Sequence, residues 1–440
     1  MYRQVLSELL AWKDALTRKP LILRGARQIG KSYIVKQLGE KYFDHYIEVN
    51  FEFEPKYKGC FNSLDPIDIT NAISLISGKP IREQESLLFF DEIQECPRAI
   101  QALRYFKEKM PGLHVLSAGS LLEFVINDEE YREPVGRVQS LYMKPCSFNE
   151  YLIAAGFKEL ALHLHQATVK DGIHEAVHTT LLERLREYLF LGGMPEVLSH
   201  YLETKDLLHC QRLQGTVMEY YRRDFGKYAN KIRPEYLQAI FDKAPSMVTQ
   251  PFRYVKIDPD IHSRLIKPAL QALIAAGLIF PVYHTSASGL PFKATINEKK
   301  FKCIFIDVGL MGYDTELSYR TLLNENLVLL NRGATAEQLV GQELLASADP
   351  YRPAQLYYWH RESPKSQAEV DYVIHVDQII CPVEVKSGKT GSLRSLQSFL
   401  NEKSLNLGVR VSQNPLSFDG RILSVPLYMV PEIPRLVREA

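Results

Sequence analysis

Glycines at positions 25 and 30 bracket four residues and are followed at once by Lys31 and Ser32, giving Gly25-Ala26-Arg27-Gln28-Ile29-Gly30-Lys31-Ser32. This spacing is that of a phosphate-binding loop. Gly25 and Gly30 let the backbone curl so that successive N–H groups converge on phosphate oxygens. A helix starting at Ser32 adds the positive end of its dipole. Lys31 then reaches the β- and γ-phosphates, and the Ser32 hydroxyl ligates Mg²⁺. Tyr33 follows, on the side of the α-phosphate. The context suits the motif, because an apolar strand (Leu21 to Leu23) precedes it and a helical stretch (Ser32 to Tyr42) follows.

A second strand supplies acids. Leu87-Leu88-Phe89-Phe90 ends in Asp91-Glu92. A short apolar run tipped by carboxylates suits a buried parallel strand whose C-terminal end opens on a ligand. Asp91 would complete the Mg²⁺ shell, and Glu92 would polarise the attacking water. Standing alone, two adjacent acids would read as a solvated loop. The upstream phosphate loop favours hydrolysis.

A third constellation lies near the C-terminus. Val383-Glu384-Val385-Lys386 alternates, so Glu384 and Lys386 share one face of a strand and the valines the other. Asp371 starts the preceding strand, and Glu343 lies on a predicted helix. Charges on apolar strands need compensation. A divalent metal held by Glu343, Asp371 and Glu384 would provide it, with Lys386 activating a water near a scissile phosphate. The simpler reading is an edge strand with one wet face.

The elements that position these residues alternate. Strands are expected at 21–23, 45–51, 87–90 and 114–120, with helices at 12–18, 32–42 and 97–110. Such alternation predicts an α/β fold with a parallel sheet. Residues 149–223 read as helical, broken at Gly192-Gly193-Met194-Pro195. From 234 to 296, two helices (235–243 and 266–276) and two strands (278–283 and 293–296) suggest a winged helix with Ser286-Ala287-Ser288-Gly289 in the wing. Beyond a join near 312–334, a helix (338–346) and strands at 370–376 and 379–385 lead to a helix at 392–403 and strands at 407–411 and 422–430.

A chain of 440 residues is too long for one ordinary core. Its six cysteines, Cys60, Cys96, Cys146, Cys210, Cys303 and Cys381, form no C-x-x-C pair, which points to a reducing cytoplasm and against a zinc ribbon. No apolar run spans a membrane and no signal peptide precedes the first strand. His163/His165 and His174/His178 lack a completing Cys or acid, so solvated helix faces are expected there. Net charge is +1, but residues 221–300 carry 13 Lys/Arg against 6 Asp/Glu, a balance of +7 that leaves −6 elsewhere. This basic middle makes the winged-helix region a candidate for nucleic-acid contact, packing being the other use.

Taken in order, Gly25 to Ser32, Phe90-Asp91-Glu92-Ile93-Gln94, Ser117-Ala118-Gly119-Ser120, Gly136-Arg137-Val138, Gly192-Gly193-Met194-Pro195-Glu196, Phe305-Ile306-Asp307-Val308-Gly309-Leu310, and Ala368-Glu369-Val370-Asp371 with Val383 to Lys386 resemble one family. It comprises bacterial and archaeal AAA-class P-loop ATPases with a C-terminal domain of unknown function, itself similar to PD-(D/E)XK nucleases. The resemblance implies ATP and Mg²⁺ as cofactors, with Gly25, Ala26, Arg27, Gln28, Ile29, Gly30, Lys31, Ser32 and Tyr33 on the nucleotide. It implies a P-loop domain over 1–148, a lid-like helical segment over 149–233, a winged-helix domain over 234–311 and a nuclease-like domain over 312–440. Ser120 would sense the γ-phosphate, or simply leave the strand. Arg137 would act as a finger toward a neighbouring subunit's nucleotide in an oligomer, or be an ordinary surface arginine. One departure is Ser32-Tyr33, where the family tends to have two threonines.

Two functions from different classes follow. In the first, a Mg²⁺-dependent ATPase controls a tail that cleaves DNA or RNA, with Asp371, Glu384 and Lys386 catalytic. In the second, nucleotide state sets a switch whose tail only recognises a partner.

Overall fold

The computed structural model describes residues 1–119, 134, 136–228, 232–316, 332–361, 368–388 and 391–440. The chain divides into two compact units. One comprises Arg3–Lys144 with Asp349–Pro353, the other Met1–Tyr2, Pro145–Ala348 and Ala354–Ala440.

The first unit is built on five parallel strands, β1 (Leu21–Arg24), β2 (His45–Asn50), β3 (Ser86–Asp91), β4 (His114–Ala118) and β5 (Gln139–Tyr142). Their order is β2-β3-β4-β1-β5. β1, β3 and β4 are buried along their whole length, as parallel strands covered on both faces must be. The two-residue alternation sends Ile22, Val49, Leu88, Phe90 and Val115 to one core with Ile69, Ile73, Ile100 and Phe106. These last four belong to α3 (Pro66–Ser77) and α4 (Pro97–Lys109). The sequence programs α3 at both ends: Asp65 Oδ1 accepts the Ile67 N–H (3.0 Å), Pro66 opens the first turn, and Gly78 closes it with φ +69°. α2 (Lys31–Tyr42) packs against β2, β3 and β4, and α1 (Val5–Asp14) against α2.

Two local expectations shift. The first helix runs over Val5–Asp14 rather than 12–18, because Leu9 and Trp12 are its buried pair while Leu16 is fully exposed. β5 was not anticipated: Gln-Ser-Leu-Tyr is short and mixed, and its strand identity comes from pairing with β1.

The second unit begins with helices Phe148–Ala154, Lys158–Gln166, Glu175–Leu191, Pro195–Thr204 and Leu207–Asp224. Helices Pro234–Met247 and Ser263–Ala275 precede a hairpin of β6 (Ile279–Thr285) and β7 (Ile296–Phe305). The expected strand at 293–296 is instead a 3₁₀ turn leading into β7, whose solvent-facing half, Asn297 to Lys300, hides the strand in a polar run. The hairpin is not an isolated wing. β6 also pairs in parallel with β8 (Leu356–His360), and β8 with β9 (Glu369–Val370), giving the order β7-β6-β8-β9. A further sheet has the order β10-β11-β12-β14-β13, from β10 (Tyr372–Val376), β11 (Ile379–Val385), β12 (Gly408–Ser412), β13 (Ser417–Asp419) and β14 (Ile422–Pro426). The parallel step from β11 to β12 crosses through the helix Arg394–Glu402.

Two motifs of the sequence meet here. Asp307 Oδ1 accepts the N–H groups of Gly309 and Leu310 (both 3.0 Å), and Oδ2 accepts that of Gly193 (2.6 Å). A Cβ on Gly192 would lie 2.0 Å from Asp307 Oδ1, and one on Gly193 2.1 Å from Cys146 O. Gly-Gly and Asp-Val-Gly are therefore two halves of one buried joint. His178 departs from expectation: it is buried, with Nδ1 2.6 Å from Tyr428 Oη and Nε2 3.1 Å from Gln413 O.

Candidate functional site

In an all-parallel sheet the strand C-termini lie on one edge, and ligands settle where the strand order reverses. Here the order reverses at β1, and the loop after β1 faces the tips of β3 and β4 along that edge. Gly25 and Gly30 adopt φ +134° and +88°. Gly25 also packs so closely on the next strand segment that a Cβ would sit 2.4 Å from Met143 O. Arg3 braces the loop, donating from Nη1 to Ile29 O (2.7 Å) and from Nη2 to Lys144 O (2.6 Å).

Lys31 donates to the carbonyls of Gly25 (2.8 Å) and Ala26 (2.6 Å). Burial pulls its pKa down to about 8, against the upward pull of Glu92 and Asp91. Ser32 Oγ donates to Asp91 Oδ2 at 2.9 Å, joining two motifs 59 residues apart. Asn50, level with Asp91 on the neighbouring strand, donates from Nδ2 to the same oxygen (3.3 Å). Burial and then Glu92 push Asp91 up to about 6, while the Ser32 bond pulls it down. Glu92 takes a left-handed conformation (φ +48°), and its carboxylate accepts a 2.6 Å bond from Gln94 Nε2. Gly119 leaves room for this amide, since a Cβ there would lie 2.1 Å from Gln94 Oε1. The donor set fits a divalent ion beside a phosphate chain: one hydroxyl and one carboxylate oxygen already in contact, with an ammonium on backbone carbonyls.

Other expected residues of this site lie differently. Arg27 is half-buried, 4.0 Å from Glu52, and Tyr33 is exposed. Ala26 and Ile29 are buried; Gln28 lies in the loop with φ +61°. Ser117 Oγ turns back to Leu21 O (3.4 Å) inside the sheet, and Ser120 lies outside the described residues. Arg137 pairs with Glu108 at 3.0 Å on the surface.

The C-terminal residues gather around β10 and β11. Asp371 Oδ2 accepts the Val385 N–H (2.8 Å), and Lys386 Nζ donates to Glu384 Oε1 (2.6 Å). Burial and then Asp371 raise Glu384 to about 7. Its Oε2 is buried with no hydrogen-bond partner among the described residues.

Glu343 is not among them. Its Oε1 accepts the Phe148 N–H at 3.0 Å and lies 3.4 Å from Tyr188 Oη. Burial raises it to about 7. On the helix Arg332–Ala346 it is Glu337 whose charge interacts with that of Asp371. Six residues separate the two glutamates, roughly 240° around a helix, which sends them to different faces. Glu337 and Glu369 both pair with Lys302 of β7, at 3.1 Å for Glu337. Sequence reasoning missed Lys302, Glu337 and Glu369. The available signal was a lysine inside the apolar run Phe301 to Phe305. Among the described residues, no three His, Cys, Asp or Glu side chains are grouped to hold one metal ion. The ion set Glu343, Asp371 and Glu384 therefore does not assemble.

Residues 17–152 match the model of an AAA domain. Residues 17–152 are a P-loop domain of the AAA class. Residues 182–321 and 332–429 match two domains of unknown function, DUF8612 and DUF4143. No curated protein matches the chain. Among solved structures, the Aeropyrum pernix ORC1 protein in complex with DNA aligns at 11% identity over 74% of this chain and 95% of its own, with a TM-score of 0.29. Among the described residues no helix is long and apolar enough to cross a membrane.

Proposed function

We propose that the chain binds ATP with Mg²⁺ on residues 25–32, hydrolyses it, and uses nucleotide state to set a C-terminal unit that recognises its target without cutting it. The observation carrying the ATPase half is the 2.9 Å contact between Ser32 Oγ and Asp91 Oδ2, with Glu92 adjacent. Lys31 exchanges two neutral carbonyls for phosphate oxygens, which are stronger partners for an ammonium. Ser32 and Asp91 would hold the Mg²⁺, whose charge offsets that of the phosphates. Glu92 takes the proton of the attacking water, oriented by the Gln94 amide. The test is ATP turnover by wild type, Lys31→Ala and Glu92→Gln. Turnover in wild type, loss of nucleotide binding in the first variant and binding without turnover in the second are expected. Unchanged turnover in Glu92→Gln would sink the assignment.

The non-cleaving tail is supported by Glu343, whose carboxylate serves the Phe148 N–H, and by the Lys302 ammonium paired with Glu337 and Glu369. A basic exterior supports a nucleic-acid target: Arg253, Lys256, Arg264, Lys267, Lys293, Lys299 and Lys300 are all exposed. The proximity of Asp371, Glu384 and Lys386 favours the second reading, a nucleotide-controlled nuclease. Incubating single- and double-stranded DNA and RNA with Mg²⁺ or Mn²⁺, with and without ATP, separates the two. Cleavage abolished by Asp371→Ala would establish the nuclease.

A further inference from the structure

We propose that Lys302 is the resident cation of the C-terminal carboxylate group, an internal ammonium that closes this face to divalent metal. The inference rests on the reading of a non-cleaving tail and gives it a cause.

Lys302 lies on β7, upstream of the strands that carry the acids, and is 1% exposed. Its ammonium passes the ring of Tyr358 on β8, 5.2 Å from the centroid, to meet Glu369 on β9 and Glu337 on the helix Arg332–Ala346. An amine buried this deeply would normally lose its proton. Here burial pulls its pKa down, but Glu337, Glu369 and Asp371 outweigh it and hold the pKa above the ordinary lysine value. The charge therefore stays, and it stays where a metal would.

Each of the four carboxylates has one oxygen committed. Glu337 and Glu369 serve Lys302, Asp371 Oδ2 serves the Val385 N–H, and Glu384 Oε1 serves Lys386. Glu384 Oε2 stays buried with no hydrogen-bond partner among the described residues. A divalent ion needs several hard oxygen ligands at once, and taking them means stripping two ammoniums of their partners in a buried setting. An ammonium tethered by the fold is present at very high effective concentration and so wins.

Removing the tethered charge should therefore expose a latent metal site. The probe is Mn²⁺ alone, followed by electron paramagnetic resonance on the full chain without nucleotide. Wild type is expected to bind no Mn²⁺ that Asp371→Asn abolishes. Lys302→Gln is expected to bind one Mn²⁺ at least about tenfold more tightly than wild type, by the lost competition of one charge, and Lys302→Gln with Asp371→Asn to lose it. Wild-type binding that depends on Asp371, or no gain in Lys302→Gln, overturns the proposal. If Lys302→Gln does not fold, Glu369→Gln, which weakens the lock from the half-exposed side, replaces it with the same criterion. A nuclease assay on the same samples keeps the two ideas apart. Wild-type Mn²⁺ binding at Asp371 without cutting refutes the lock alone, whereas cutting refutes the non-cleaving tail as well.

Discussion

Lys31 and Lys302 are both buried lysines beside carboxylates, yet they are held in opposite ways. Lys31 rests on two backbone carbonyls, with the exposed Ser32 and the half-buried Glu92 beside it. Those carbonyls are neutral, so a triphosphate can displace them at a gain. Lys302 rests on two carboxylates, the buried Glu337 and the half-exposed Glu369. Nothing a solvent ligand offers improves on them. Acids near a buried lysine do not by themselves make a ligand site. What decides is whether the lysine's present partners are weaker than those a ligand would bring.

The comparison can be broken most forcefully at the phosphate loop. Glu92→Gln is expected to lower turnover about 10²- to 10⁴-fold, the span of a lost general base, with ATP affinity retained in an equilibrium binding assay. The corresponding cut at the other site acts on stability. Lys302→Met leaves the buried Glu337 and the half-exposed Glu369 without their cation and should cost about 3–5 kcal/mol in urea unfolding, while ATP turnover persists. Should Lys302→Met instead lower ATP turnover as much as Glu92→Gln does, the division of labour drawn here fails.

Glu343 sharpens the contrast through pH. Its carboxyl is raised from 4.5 to about 7 by burial. The folded state thus binds the proton more tightly than the unfolded chain. The resulting stability is complete below about pH 4.5 and is lost as pH rises through about 7. Glu343→Gln should flatten the fall in unfolding free energy between pH 5 and 8, measured by urea titration, by about 1–3 kcal/mol, leaving the residual slope of Glu337 and Glu384. An unchanged slope would mean that Glu343 titrates normally. The smallest effect is expected at Arg137, whose half-exposed pair with Glu108 should be worth under about 1 kcal/mol. A thousandfold loss of turnover in Arg137→Ala would instead mark a finger.

What could be read from the chain follows the range of the interaction. The loop at 25–32 is legible because local backbone geometry demands Gly at its ends and Lys-Ser at the helix start. β3 is legible because a buried parallel strand must be apolar throughout. Lys302 was hidden because its partners lie 35 and 67 residues away. Glu337 and Glu343 share one helix, and helical periodicity does not say which face meets Asp371. β5 was hidden because its strand character is conferred by β1.

The measurement that tests the contrast most directly is Mn²⁺ stoichiometry of the full chain, with and without a non-hydrolysable ATP analogue, in wild type, Asp91→Asn and Asp371→Asn. The expected result is one Mn²⁺ per chain that appears only with nucleotide, is lost in Asp91→Asn and is kept in Asp371→Asn. Nucleotide-independent Mn²⁺ that vanishes in Asp371→Asn, or nucleotide-dependent Mn²⁺ indifferent to Asp91, would contradict it.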